Sequence, residues 1–139
     1  MALGPGSIAI IGFNADGNDN LAFAVLETIT AGQAIFFEDN EWNGTGWADA
    51  NENALIWTAT SDVAAGTVVR LDNLGAGTLA ASIGTLASAP SATHGANRGL
   101  AASDETFYAY TGSRAAPVFL TAVSNDGSDA ANGSLVGTG

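Results

Sequence analysis

A succession of short apolar runs, each closed by turn-forming residues, constrains the fold of this chain more than any other feature. The runs are rich in β-branched and aromatic side chains, and Gly, Asn, Asp and Ser separate them. This pattern is typical of β-strands, and no segment shows the long apolar stripe that predicts an amphipathic helix. The runs are Ser7–Phe13, Leu21–Ile29, Gln33–Glu38, Ala54–Ala59, Thr67–Leu71, Thr106–Thr111 and Val118–Ser124.

Two segments within these runs, Ile8–Ile11 and Phe23–Leu26, are apolar on both faces. Such strands lie between layers, whereas strands of a half-solvated sheet alternate apolar and polar residues. About seven to nine strands in 139 residues therefore predict an all-β fold, a single antiparallel β-sandwich of the immunoglobulin-like kind. The domain is expected to span residues 7–139, and residues 1–6 to be an N-terminal extension or a remnant of cloning.

An internal echo and one weak segment complete the map of elements. Ile29–Gly32 and Val63–Gly66 each place a glycine turn before a strand that ends in Asp-Asn. Two copies are too few for a solenoid, so they predict two similar corners of one sandwich. The stretch Gly75–Gly99 is rich in Ala, Ser and Gly and contains the single histidine, His94. It predicts a long loop with one poor strand around Ala80–Leu86.

The charge balance argues against two classes of partner. Fourteen acidic residues face three arginines and no lysine, so the formal net charge is −11. Such a surface repels nucleic acid and anionic lipid. In addition, no apolar stretch approaches the roughly 20 residues of a membrane span. We therefore expect neither nucleic-acid binding nor membrane insertion.

The composition favours a location outside a bacterial cell. The chain has no cysteine, which excludes disulfides and thiolate metal sites. Its small and polar residues are mostly uncharged Gly, Ala, Ser, Thr and Asn, which is more typical of an extracellular, secreted bacterial protein than of a cytosolic one. Residues 1–6 lack the basic and apolar regions of a signal peptide, so an export signal is expected outside this sequence.

Two loops crowd side-chain oxygens together, Asn14–Asn20 after the first run and Glu38–Glu41 after the third. Clustered carboxylates repel one another unless they are solvated, protonated or bound to a cation such as calcium. The helix–loop–helix calcium motif does not fit, because Leu21 stands where that motif needs a glycine. Plain turns and calcium-binding turns both remain open. The candidate calcium ligands are Asp16, Asn18 and Asp19, joined by Glu38, Asp39 and Glu41 if the fold brings the loops together.

Trp42 and Trp47 flank the glycine-rich segment Asn43–Gly46, whose composition does not suit a core strand. A loop tryptophan beside carboxylates can offer its flat apolar face to a sugar ring, or it can close an open end of the sandwich. Both interpretations stay open. Trp57 lies within an apolar run and is expected in the core.

The sequence offers no catalytic constellation. His94 has no cysteine to pair with, and nucleophile-elbow, phosphate-loop and dinucleotide motifs do not occur. Acidic pairs such as Asp104-Glu105 are common in acidic proteins and do not define a glycosidase. We therefore expect a protein that is not an enzyme.

Five segments carry a resemblance to a known type of module: Gly17–Leu26, Ile29–Gly32, Ile35–Trp42, Ala102–Tyr110 and Phe119–Asn125. They resemble a module of large secreted or surface-layer-like proteins of cyanobacteria and proteobacteria, often found beside hemolysin-type calcium-binding repeats. The resemblance covers residues 7–139 and implies an extracellular β-sandwich, similar to lamin-tail domains, with a structural or surface role. The glycine-rich calcium repeats themselves do not occur in this sequence, so the resemblance alone does not imply calcium.

Two functional hypotheses follow. The first is a non-catalytic extracellular structural module that self-associates into a surface layer, filament or adhesin, with calcium as a stabilising cofactor. Its joints would be sheet edges or the termini, because an unpaired edge can accept a strand from a neighbour. The alternative is a carbohydrate-binding module that uses Trp42 and Trp47 to bind glycans.

Overall fold

A computed structural model describes residues 1–89, 98–125, 133–135 and 137–138, and His94 lies outside these ranges. The described part of the chain is all-β, with nine strands. Within it, no helix is long and apolar enough to cross a membrane. The strands are β1 Ile8–Asn14, β2 Asn20–Val25, β3 Ala34–Glu38, β4 Ala54–Thr58, β5 Val68–Asp72, β6 Ala80–Ala81, β7 Thr85–Ser88, β8 Thr106–Ser113 and β9 Ala116–Ser124.

The strands form two antiparallel sheets, one in the order β1-β2-β5-β6 and the other in the order β7-β4-β3-β8-β9. This arrangement confirms the predicted all-β class and is consistent with a single sandwich of about nine strands. Every apolar run predicted as a strand overlaps one of the observed strands. The echoed corners Ile29–Gly32 and Val63–Gly66 meet directly, because Ile29 and Val63 exchange backbone hydrogen bonds of 2.9 and 2.8 Å.

The core lies between the two sheets and combines many aliphatic side chains with a few aromatic rings. The Phe23 ring of β2 lies 5.4 Å from the Phe37 ring of β3 and 5.3 Å from the Trp57 ring of β4, measured between centroids. All three side chains are fully buried, as predicted for Trp57. Since Phe23 belongs to one sheet and its partners to the other, these contacts join the layers.

A β-bulge keeps the apolar residues of β1 on the core face. Ile8 and Ile10 pair with Val25 and Phe23, and the register then shifts before Gly12. The extra residue, Ile11, is 57% exposed. Phe13 packs against the core. If β1 had no bulge, strict alternation along the same sequence would turn Phe13 away from the core.

A second apolar cluster lies on the outer face of the five-stranded sheet. Tyr108 and Tyr110 alternate along β8 with core-facing Phe107 and Ala109, so β8 is buried on both faces. The cluster also includes Phe119 of β9 and the loop tryptophans Trp42 and Trp47, with Phe36 packed against it. This outer cluster positions the site described below.

The start of the chain packs against the sandwich, and the region after β5 adds two short strands to it. Leu3 is 7% exposed and belongs to the main core, and the Gly6 amide donates to the Leu120 carbonyl at 2.9 Å. The stretch predicted as a loop with one poor strand around Ala80–Leu86 instead holds β6 and β7, which belong to different sheets. Gly84, with φ +79°, makes the turn between them.

Candidate cation site

The predicted ligands of the first oxygen-rich loop lie in the turn between β1 and β2. Asp16 and Asn18 are exposed, and the Asp16 amide donates to the Asn14 side chain at 3.2 Å. Asp19 is 7% exposed, and its Oδ2 accepts a hydrogen bond from the Leu100 amide at 2.8 Å. These are the contacts of an Asx-rich turn, with Asp19 holding a neighbouring loop in place.

Glu38, another predicted ligand, has protein partners for both carboxylate oxygens. Its Oε1 accepts from Arg114 Nε at 2.6 Å and from Asn40 Nδ2 at 2.9 Å, and its Oε2 accepts from the Tyr110 hydroxyl at 2.6 Å. The side chain is fully buried. Because a guanidinium already neutralises it, Glu38 acts in an internal ion pair beneath the outer aromatic cluster.

A cluster of acids forms beside this ion pair, in the loop between β3 and β4. One carboxylate oxygen each from Glu41, Asp49 and Glu52 lies within 4.8 Å of the other two. In the part of the chain that the structure describes, this is the one group of three acidic side chains so close together. It shares Glu41 with the predicted calcium ligands.

Asp39 and Glu105 extend the cluster inward. Asp39 is 4% exposed, and burial together with the charges of Glu105 and Glu52 raises its pKa well above 3.8. Burial also raises the pKa of Glu105 to about 7, with added contributions from the charges of Glu41 and Asp49. These charge effects link five carboxyl groups into one electrostatically coupled cluster: Asp39, Glu41, Asp49, Glu52 and Glu105.

The same causes act on the outer members of the cluster. Burial raises the pKa of Glu52 to about 7, and the charges of Glu105 and Asp49 add to this effect. Burial and a hydrogen bond with the Asp49 carboxyl group raise the pKa of Glu41 to about 7. A hydrogen bond between two carboxyl groups needs a proton on one of them, so protons reduce the repulsion here.

Two buried oxygens of the cluster have no hydrogen-bond partner among the described residues. They are Asp39 Oδ1 and Glu52 Oε2, and both side-chain amide atoms of neighbouring Asn53 are likewise unpartnered. Buried polar atoms are normally paired, since leaving one unpaired costs about 1–3 kcal/mol. Unpaired oxygens beside carboxylates supply the donor set that a hard cation takes.

Pairing between strands explains why these acids meet. The β3–β4 ladder ends at Glu38 and Ala54, and its register continues as the Asp39 amide donates to the Asn53 carbonyl at 3.1 Å. One step further, the Glu52 amide donates to Asn40 Oδ1 at 3.0 Å. The two ends of the loop thus run side by side and bring their acids together.

Pairing between β3 and β8 adds Glu105 to the group. That ladder ends where Glu38 lies opposite Tyr108, which brings the residue before β8, Glu105, close enough to Glu41 for the charge of Glu41 to raise its pKa. Sequence reasoning missed Asp49, Glu52 and Glu105. The signal available for the first two was that adjacent strands β3 and β4 would form a hairpin, whose ends must meet.

The tryptophans predicted to bind sugar lie beside this cluster but are largely covered. Trp42 is 8% exposed, and the Trp47 ring packs within 5.6 Å of Tyr108 and Tyr110, measured between centroids. The Arg114 guanidinium carbon lies 5.1 Å from the Trp47 ring centroid. A concavity of about 390 Å³ remains next to them, lined by Trp42, Thr45, Gly46, Trp47, Arg114 and Ala115.

Comparisons with protein families, with curated proteins and with solved structures find no match for this chain. The acidic cluster offers only oxygen donors, without histidine or cysteine, which is the donor set of Ca²⁺, Mg²⁺ or Mn²⁺ rather than of zinc or copper.

Proposed function

We propose that this chain is a non-catalytic extracellular structural module that calcium stabilises. One observation carries the proposal: Asp39 is almost fully buried, one of its carboxylate oxygens has no hydrogen-bond partner, and the charges of Glu105 and Glu52 are close enough to raise its pKa. Ionised carboxylates at this spacing repel one another, and a divalent cation removes that repulsion while supplying the missing partner.

Calcium suits this site better than magnesium does. Calcium accepts six to eight oxygens in irregular geometry, whereas magnesium demands a near-ideal octahedron and keeps several of its waters. The proposed ligands come from an irregular loop and from the residue before β8. The proposed ligand set is Asp39, Glu41, Asp49, Glu52 and Glu105.

Calorimetric titration and thermal unfolding with calcium or chelator test the cation site. Ca²⁺ bound only by the folded chain raises Tm in proportion to ln(1 + [Ca²⁺]/Kd), and affinities of about 10⁻⁴–10⁻³ M are typical of extracellular modules. Glu52→Gln keeps the side-chain shape but loses a charge, so it is expected to weaken binding at least tenfold. Asp16→Asn, in the exposed β1–β2 turn, serves as the matched control. A titration without heat and with an unchanged Tm would refute the calcium site.

We further propose that the module self-associates through its sheet edges. The edge strands β1 and β9 expose large apolar residues, namely Ile11 at 57% and Val118 at 46%. Edge strands with exposed apolar residues can accept a neighbouring strand. Ile11→Lys should therefore reduce the sedimentation coefficient at high concentration, whereas Leu26→Lys, also exposed but outside the strands, should not. A strict monomer with and without calcium would contradict self-association.

Glycan binding is the second candidate function, and the concavity beside Trp47 and Arg114 favours it. An aromatic edge next to a guanidinium suits a hydroxyl-rich or acidic sugar. Screening on a glycan array tests this, with Ala115→Trp as the blocking variant because Ala115 is exposed and lines the concavity. Absence of any retained glycan would rule the candidate out.

A further inference from the structure

The segment 41–49, called the tryptophan hairpin below, has its two arms joined at the acidic cluster. The Glu41 amide donates to Asp49 Oδ1 at 3.0 Å, and the Ala48 amide donates to the Glu41 carbonyl at 2.7 Å. Trp42 and Trp47 form a bridge further along the arms. Glu41 and Asp49 therefore stand at the base of the hairpin, and both belong to the proposed calcium ligands.

The two tryptophans of the hairpin cover the members of the outer aromatic cluster that belong to β8 and β9. The Trp42 ring centroid lies 5.0 Å from that of Phe119, and the Trp47 centroid lies 5.5 Å from that of Tyr108. The Trp47 indole N–H donates to the Arg114 carbonyl at 2.9 Å. The hairpin thus shields aromatic residues of β8 and β9 that would otherwise face solvent.

Closure of the tryptophan hairpin brings acidic side chains together at its base, where their charges repel. Closing the arms places one carboxylate oxygen each of Glu41, Asp49 and Glu52 within 4.8 Å of the other two. When these groups are ionised, their repulsion opposes closure, and no lysine or arginine forms an ion pair with any of the three among the described residues. A cation shared by both arms would reverse the sign of that interaction.

We propose that a divalent cation bound between Glu41 and Asp49 latches the tryptophan hairpin onto the sheet, so that its loss loosens the hairpin and exposes the outer aromatic face. This inference rests on the proposed calcium site and adds its structural consequence. Calcium would then control access to an apolar surface of β8 and β9, and not only overall stability.

Hydrogen exchange measured by mass spectrometry tests the latch in the full chain. In chelator, peptides covering residues 41–49 are expected to exchange at least tenfold faster than in calcium. Peptides from β2, in the middle of the four-stranded sheet, are expected to exchange at the same rate in both conditions. Acrylamide quenching of tryptophan fluorescence should also rise in chelator, because Trp42 and Trp47 become accessible when the hairpin loosens. Trp57 is fully buried in the main core and contributes a constant background.

Asp49→Asn separates the latch from the calcium site. Asparagine keeps the Oδ1 that accepts the Glu41 amide but removes a negative charge from the base. This variant is expected to bind calcium more weakly and yet to keep segment 41–49 protected in chelator. Calorimetry that detects no calcium binding overturns the proposed calcium site and the latch together. Calcium binding with unchanged exchange in segment 41–49 overturns the latch alone.

Discussion

At the scale of single residues, the ion pair between Glu38 and Arg114 is more buried than the ion pair between Arg70 and Asp72 at the surface. The Glu38 side chain is fully buried, and that of Arg114 is 24% exposed. The pair between Arg70 and Asp72 has an N···O distance of 2.8 Å, but the arginine side chain is 62% exposed. Solvent screens the second pair, whereas loss of Arg114 would leave a buried carboxylate without its cation.

Arg114→Met is therefore expected to lower the free energy of unfolding by about 3 kcal/mol, the typical cost of breaking a buried ion pair. Arg70→Met, the matched surface change, is expected to cost less than about 1 kcal/mol. Urea unfolding followed by fluorescence gives both values. Equal losses in the two variants would show that burial does not set the strength of the Glu38 pair.

Residue by residue, sequence reasoning grouped Glu38, Asp39 and Glu41 because they are neighbours in the chain. The structure separates Glu38 from the other two, because strand alternation directs it, together with Phe36, toward the outer aromatic cluster and Tyr110. Asp49 and Glu52 join Asp39 and Glu41 through the hairpin of the adjacent strands β3 and β4, whereas Glu105 lies just before β8, which no local pattern marks as a neighbour.

At the scale of elements, the turns decide which sheet a strand joins. β6 pairs with β5 in one sheet and β7 with β4 in the other, so the chain crosses between layers at Gly84. A Cβ on Gly84 would lie 2.5 Å from the Thr58 carbonyl oxygen and 2.7 Å from the Trp57 indole nitrogen. The turn therefore needs glycine both for its positive φ and for space.

Gly84→Ala is expected to destabilise the chain by more than about 2 kcal/mol, since backbone strain and a steric clash with buried atoms add together. Gly66→Ala is the control, because Gly66 has a similar φ of +89° but nothing within 4 Å of the added Cβ. It should cost only the strain, about 1 kcal/mol. Thermal or urea unfolding compares the two. A loss for Gly66→Ala as large as that for Gly84→Ala would contradict the steric argument.

At the scale of the whole molecule, the acidic cluster sets how stability depends on pH. The pKa values of Glu41, Glu52 and Glu105 are about 7 in the folded chain, above the ordinary value of 4.5. Between these values the folded chain keeps protons that the unfolded chain has already released. The free energy of unfolding therefore falls as pH rises through this window.

In chelator, Tm is expected to decrease as pH rises from about 4.5 to about 7. Calcium should flatten or reverse this trend, because ionised carboxylates are the form that binds it. Differential scanning calorimetry at several pH values, with and without calcium, measures both effects. A Tm in chelator that rises across this window would contradict the raised pKa values.

Much of this architecture follows from local patterns. Each apolar run predicted as a strand overlaps an observed one, because alternation, β-branched residues and Gly or Asn turns act over a few residues and do not depend on distant contacts. The all-β class follows for the same reason. The two short strands β6 and β7 were predicted as one, since a stretch of Ala, Ser and Gly carries little local preference and only pairing with β5 and β4 defines them.

The candidate site, by contrast, was decided by tertiary structure. The sequence alone determined that acids are numerous, that lysine is absent and that oxygen-rich loops follow strands. Which acids meet depends on strand register. The β3–β4 hairpin and the β3–β8 ladder bring five acids to one end of the sandwich: Asp39, Glu41, Asp49, Glu52 and Glu105. Repulsion between carboxylates does not depend on their separation in sequence, so only the pairing of β3 with β4 and with β8 could select this group from the fourteen acids available.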